Sequence, residues 1–205
     1  RKGRGSPKAS IAVEGGSYGT LSLKAAVSGG TRDFSYALSG AAIRSSGFSA
    51  YGHRIPLLER TYGPLDKDGY TRFAGSGRFS WRVSDTVEFE AGIYSGKTNS
   101  KYDAAFAGFG YVPDTPSTSS TWLTTAYARM IADAFDGQLR NRITLYGNIT
   151  ERSLNDVQRY DFGFGLTDEH NKYSFTGTRA GVEYQGDLKL GAYGKLTFGA
   201  VYEKE

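Results

Sequence analysis

The sequence predicts an all-β chain that folds as an antiparallel up-and-down transmembrane β-barrel. Three observations predict it. Apolar residues recur at every second position almost from end to end. The alternating runs are ten or more residues long, where soluble strands average ~5–6 residues and tilted membrane-spanning strands need ~9–11. The links alternate between tight turns and long loops, as in barrels with short turns on one rim and long loops on the other.

The elements follow in order. Residues 9–18 open the series, and Leu21, Leu23, Ala25 and Val27 alternate with Ser22, Lys24, Ala26 and Ser28 in a strand over 20–29. Phe34, Tyr36 and Leu38 start a strand over 34–45. Phe73, Phe79 and Trp81 share one face of 71–82, opposite Arg72, Arg78 and Arg82. Val87, Phe89, Ala91 and Ile93 do the same in 87–99. The stretch 120–133 carries Thr and Ala on both faces, and its TAYARMIADAF segment also fits a short helix; the flanking strands favour a strand. Leu139, Ile143, Leu145 and Ile149 mark 139–152, then come 173–187 and 194–204, with Leu196, Phe198, Ala200 and Tyr202 on one face. Nine strands result. Tight turns are expected at 29–33, 82–86, 132–138 and 186–194, long loops at 46–70, 100–119 and 153–172, and the short SYGT turn at 17–20.

Composition agrees. Glycine numbers 28 of 205 residues, about twice its usual ~7% share, without a collagen period. Tyr 15 and Phe 12 exclude a disordered chain. With no Cys there is no disulfide framework, thiolate metal site or cysteine nucleophile. Mean hydropathy is -0.45, which suits a barrel because alternation hides half of each strand from the average. The net charge of +4 is mild and its basic residues are scattered, so a nucleic-acid partner is not expected. The polar face mixes Gly, Ser and Ala with Arg and Glu, as a lumen against other protein does. Aromatic residues near strand ends, namely Tyr18, Phe34, Phe79, Trp81, Trp122, Tyr173 and Tyr202, suit interfacial girdles. The competing fold is a soluble β-sandwich with these residues at the margin of its core.

Several stretches are similar to the barrel of TonB-dependent outer-membrane receptors of the cobalamin and siderophore type. KGRGSPKASIAVEGGSYGTLSLKAAVSGG resembles their first barrel hairpin, and FSYALSGAAIRSSGFSA their third strand. LDKDGYTRFAGSGRFSWRVSDTVEFEAGIYSGKTNSKYD resembles the following hairpin of cobalamin receptors, and FTGTRAGVEYQGDLKLGAYGKLTFGAVYEKE a later one. The resemblance implies a barrel of about 22 strands around a plug. Residues 1–205 are then an N-terminal part of that barrel, without plug, TonB-contacting segment or C-terminal strands. It also implies a Gram-negative outer membrane, lipid as solvent, TonB as energy-coupling partner, and a scarce metal chelate (ferric siderophore, heme or cobalamin) as cargo. The alternative is a complete small barrel with a structural, adhesive or passive-pore role.

The long loops are then extracellular, and their aromatic and Arg residues can stack on and charge-pair with a chelate. The candidates are Tyr51, His53, Arg54, Arg60 and Tyr62 in the first loop, Tyr102, Phe106, Phe109 and Tyr111 in the second, and Arg159 and Tyr160 in the third. Asp66-Lys67-Asp68-Gly69 places two carboxylates two residues apart, a spacing that can converge on calcium and that also fits a solvated turn. Cobalamin receptors bind calcium with acidic residues of adjacent loops, and the matching positions are Asp66, Asp68, Tyr102, Asp103 and Asp114. An acidic ligand expected within 50–55 is missing, because YGHRIP stands there. The sequence has no G-x-S-x-G, no H-E-x-x-H and no phosphate loop. The chain is therefore read as a non-enzyme.

Overall fold

The computed structural model describes residues 3, 5–51, 56, 60, 65–103 and 110–205. The described residues form one antiparallel sheet of ten strands. In chain order these are β1 (Gly5–Gly16), β2 (Thr20–Gly30), β3 (Phe34–Ser45), β4 (Tyr70–Arg82), β5 (Val87–Tyr102), β6 (Tyr111–Val112), β7 (Ser117–Ala134), β8 (Leu139–Tyr160), β9 (Thr167–Lys189) and β10 (Lys195–Lys204). Nine long strands pair in sequence as an up-and-down meander, and two-residue β6 pairs with β8 beyond the end of β7. A 3-10 turn, Gly191–Tyr193, precedes β10. The first and last strands do not pair with each other, so hydrogen bonds leave the described sheet open.

The register shows why the alternation matters. Phe34 lies opposite Trp81, Trp81 opposite Phe89, Phe89 opposite Met130, Met130 opposite Ile143, and Ile143 opposite Tyr184. One slip would turn a whole strand over, yet every apolar series lands on the same face. The other face carries rows such as Ser80, Glu90, Arg129, Thr144 and Glu183.

Burial is reversed relative to a soluble domain. Among the described residues, the buried hydrophobic side chains are Ile131 and Val157 alone. Ser22, Ser80, Glu90, Thr144 and Asp187 are buried, and all lie on the polar face. Among the described residues no second sheet covers that face. Carboxylates there are closely partnered. Glu90 sits between Arg78 and Arg129, each at 3.6 Å. Asp187 accepts from Arg142, from Thr197 Oγ1 at 2.7 Å and from Gln185 Nε2 at 3.2 Å, and lies 3.2 Å from Lys195 Nζ. A buried charge is tolerated only with such partners.

Several expectations need correction. The 153–172 loop shrinks to six residues, since β8 runs to Tyr160 and β9 begins at Thr167. Arg159 and Tyr160 are therefore strand residues. Polar side chains on both faces of 155–172 conceal the period of two. For the same reason the 100–119 loop loses both ends to β5 and β7. Strand β1 ends at Gly16 rather than 18, because Tyr18 (φ 58°) and Gly19 (φ 64°) turn the chain. Strand β9 runs on to Lys189, which shortens the 186–194 turn. Tyr173 pairs with Leu154 on the polar face, so it does not join Trp81 and Trp122 in an aromatic belt. Segment 120–133 is strand throughout.

Candidate functional site

The rim that carries the long loops brings four aspartates together. Ligand oxygens of Asp66, Asp103 and Asp114 lie within 4.8 Å of one another. The chain reaches this arrangement through a close crossing. Gly47 (φ +67°) passes so near Asp68 that a Cβ would sit 2.1 Å from its carbonyl oxygen, so only glycine fits.

Backbone N–H groups aim at the carboxylates. Asp66 N donates to both oxygens of Asp114, at 3.2 and 3.1 Å. Tyr51 N donates to Asp103 Oδ2 at 2.9 Å, and Thr115 N to Asp103 Oδ1 at 3.1 Å. Ala50 N donates to Asp68 Oδ2 at 2.6 Å. Ser49 Oγ bridges two of the acids, at 3.2 Å from Asp114 Oδ1 and 3.4 Å from Asp103 Oδ2. Lys101 Nζ is 3.6 Å from Asp66 Oδ2. Among the described residues, Asp66 Oδ1 and Asp68 Oδ1 are buried and have no hydrogen-bond donor. A buried carboxylate oxygen without a donor is costly, and a divalent cation is the partner that suits several such oxygens at once.

The electrostatics agree. Burial pushes the Asp66 carboxyl up, and the charges of Asp114 and Asp103 add to it against the opposing pull of Lys101. Burial pushes Asp103 up to about 6, with the Asp68 charge adding and the Thr115 and Tyr51 N–H groups opposing. Between the ordinary value of 3.8 and about 6, the folded protein holds a proton on Asp103 that the unfolded chain has lost. In calcium-free buffer the rim should therefore lose stability as pH rises through that window. Hydrogen exchange at Tyr51 and Thr115, corrected for intrinsic rate, should be slower at pH 4.5 than at pH 7. Asp103→Asn should abolish the difference.

The remaining predicted residues separate into groups. Arg159 is engaged internally: Nε and Nη2 donate to Asp168 at 2.7 and 2.9 Å, and Nη1 donates to the Asp114 carbonyl at 3.3 Å. This paired guanidinium holds the Asp168 carboxyl below the usual range. Arg159 thus ties the Asp114 segment to the β8–β9 hairpin. The Tyr102 hydroxyl donates to Asp156 Oδ1 at 3.4 Å, not to the aspartate cluster. Tyr111 packs edge-on and Tyr160 at a tilt against Phe162, and Arg60 is exposed. His53, Arg54, Tyr62, Phe106 and Phe109 lie outside the described residues. Sequence reasoning missed Ser49 and Thr115 as organisers of the acids, since neither stands in a pattern that points to a distant carboxylate. Comparison with known proteins finds no family model and no curated protein that matches the chain.

Proposed function

We propose that this chain is wall and rim of an outer-membrane barrel of the TonB-dependent receptor type, which captures a scarce metal chelate at cation-organised loops. The observation that carries the membrane part is the unclothed apolar face. Ile11 is 77% exposed, Phe73 59%, Trp81 55%, Leu145 57% and Trp122 51%. Each large side chain left in water forgoes roughly 1.5–3 kcal/mol of burial, and a continuous patch of this kind marks a contact surface. Lipid is the partner that accepts such a face across nine strands. Phe73 pairs with Lys97, and Lys97 with Trp122, so Trp122 stands at the level of Phe73. Trp81 is eight residues further along β4, ~26 Å at ~3.3 Å per residue. With the tilt of a spanning strand this approaches the ~25 Å apolar band of outer-membrane barrels.

The receptor part is supported by the resemblance and by two features of the molecule. The polar face between β1 and β4 holds a concavity of about 690 Å³, lined by Ser10, Ser22, Ser39 and Ser76 with Lys24 and Arg72, which suits a plug domain packed inside. The residues at the rim fit calcium: Asp66, Asp68, Asp103 and Asp114 would hold it, and it would supply the positive charge that lets them ionise together. Binding and passage, not bond making, are the tasks of this reading.

The test is fractionation together with the sequence that precedes Arg1. The protein should resist carbonate extraction from outer membranes, and a plug domain should lead into Arg1. A signal peptide directly before Arg1 would contradict the receptor reading. Folding in water without detergent would contradict the membrane reading.

A further inference from the structure

The apolar face carries a groove of about 500 Å³ that crosses β2 to β7. Its floor is one row in register: Ala25 opposite Gly40, Gly40 opposite Gly75, and Gly75 opposite Ser95. Leu23, Phe73 and Trp122 wall it on the long-loop side. The Trp122 ring is pinned there, because its Nε1 donates to Ser95 Oγ at 2.9 Å. Glycines elsewhere in the sheet make room for the chain's own side chains. A Cβ at Gly77 would meet Leu38 Cδ2 at 3.2 Å, and one at Gly92 would meet the Tyr127 ring at 2.4 Å. Gly40 and Gly75 serve no such neighbour. Among the described residues a Cβ there would meet only a carbonyl oxygen, at 3.9 and 3.8 Å. Neither has a positive φ, so the backbone does not demand glycine. Glycine inside a strand without either reason marks a place where something else comes close.

Charge says what comes close. Lys97 lines the groove between Phe73 and Trp122. Arg44 stands on the same face of β3, opposite Leu21 and Thr71, one pleat step nearer the rim. The two backbone positions are ~12 Å apart, at ~4.8 Å per strand and ~3.3 Å per residue, so their long side chains can meet at one headgroup. From the level of Phe73 to the rim, this face of β1 to β7 carries Arg44, Lys97 and Lys101 and no acid. Lys101 is engaged with Asp66, at 3.6 Å. The first acid along the Lys97 row is Glu151, beyond Trp122. Cations whose stems lie on apolar surface and whose heads rise to the membrane interface are placed for lipid phosphate. An uncharged chain in the groove would leave both cations unmatched, and a free phosphate would leave the groove unfilled. A second copy docked about a two-fold axis would set these cations against their own like. Gly147 is open too, but the next charge along its face of β8 is the acid Glu151.

We infer that this groove is a binding site for one phosphate-bearing lipid, with an acyl chain over Gly40 and Gly75 and the phosphate between Lys97 and Arg44. This rests on the proposal that the apolar face meets lipid. The probes are dioleoyl phosphatidic acid, dioleoylglycerol and glycerol phosphate, each added to the protein in nonionic detergent and counted on the intact complex by native mass spectrometry. One phosphatidic acid should stay on each chain, and neither of the other two should. Arg44→Gln with Lys97→Gln should weaken binding at least tenfold. Gly75→Leu should do the same by filling the groove. Gly147→Leu, and Lys172→Gln on the same face opposite Asn155, should leave binding unchanged. The inference is overturned if dioleoylglycerol or glycerol phosphate binds as well as phosphatidic acid, or if Gly75→Leu binds normally. It is equally overturned if Lys172→Gln weakens binding as much as the double variant, or if the parent is a dimer that Gly75→Leu dissociates. Heat-modifiable mobility of every variant is scored alongside, so lost lipid binding with intact assembly leaves the barrel proposal standing.

Discussion

Ile93→Arg should abolish assembly of the protein into membranes, whereas Thr125→Arg should be tolerated. Ile93 is 50% exposed and sits on the apolar face between Gly77 and Ala126. It lies midway between the levels of Phe89 and Lys97, where the proposed band is deepest. An Arg on the lipid face near the bilayer midplane costs ~2–4 kcal/mol, a large part of the total stability of an ordinary domain. Thr125 faces the other way, opposite Tyr94 and Asn148, where a guanidinium meets polar groups. The fraction that shows heat-modifiable mobility in unboiled gels measures assembly. Equal loss in both variants would remove the distinction between the two faces.

The second large effect belongs to the rim. Calcium should raise the melting temperature of the parent protein, and chelation should reverse the rise. At a free concentration one hundred times the dissociation constant the gain is ~2.7 kcal/mol. Asp103→Asn with Asp114→Asn should erase the response. The same variant should be at least as stable as the parent without calcium, since it removes two of the mutually repelling charges that lie within 4.8 Å of Asp66. A purely structural cluster gives the opposite pattern, with destabilisation in both buffers and no calcium response in the parent.

What could be read from the sequence followed from burial demands. Strand β3 occupies the expected 34–45 because Phe34, Tyr36 and Leu38 announce one apolar face and the residues between them the other. Where β8 and β9 run on beyond residue 152, each face mixes polar residues with a few apolar ones such as Leu154, Val157 and Tyr173, and alternation carries no clear signal. The hairpin there is held by its ladder and by pairs such as Arg159 with Asp168. Tyr173 shows the complementary difficulty: a ring at a strand end reads as a girdle residue until the register places it opposite Leu154. At the rim, Asp66 and Asp68 were visible as a local pair. Their meeting with Asp103 and Asp114, 37 and 48 residues downstream of Asp66, depends on which strand ends share a rim. Ser49 Oγ joins Asp103 and Asp114 through the same long-range geometry.

The most direct test of the account uses its two tryptophans. Trp81 and Trp122 are the only ones in the chain, and both stand on the apolar face near opposite ends of the band. In bilayers of brominated lipids both should be quenched, more strongly by bromine near the headgroups than at the acyl-chain ends, and aqueous acrylamide should reach neither well. Strong acrylamide quenching without any effect of brominated lipid would place the apolar face in water or against protein, and would contradict the membrane-barrel account.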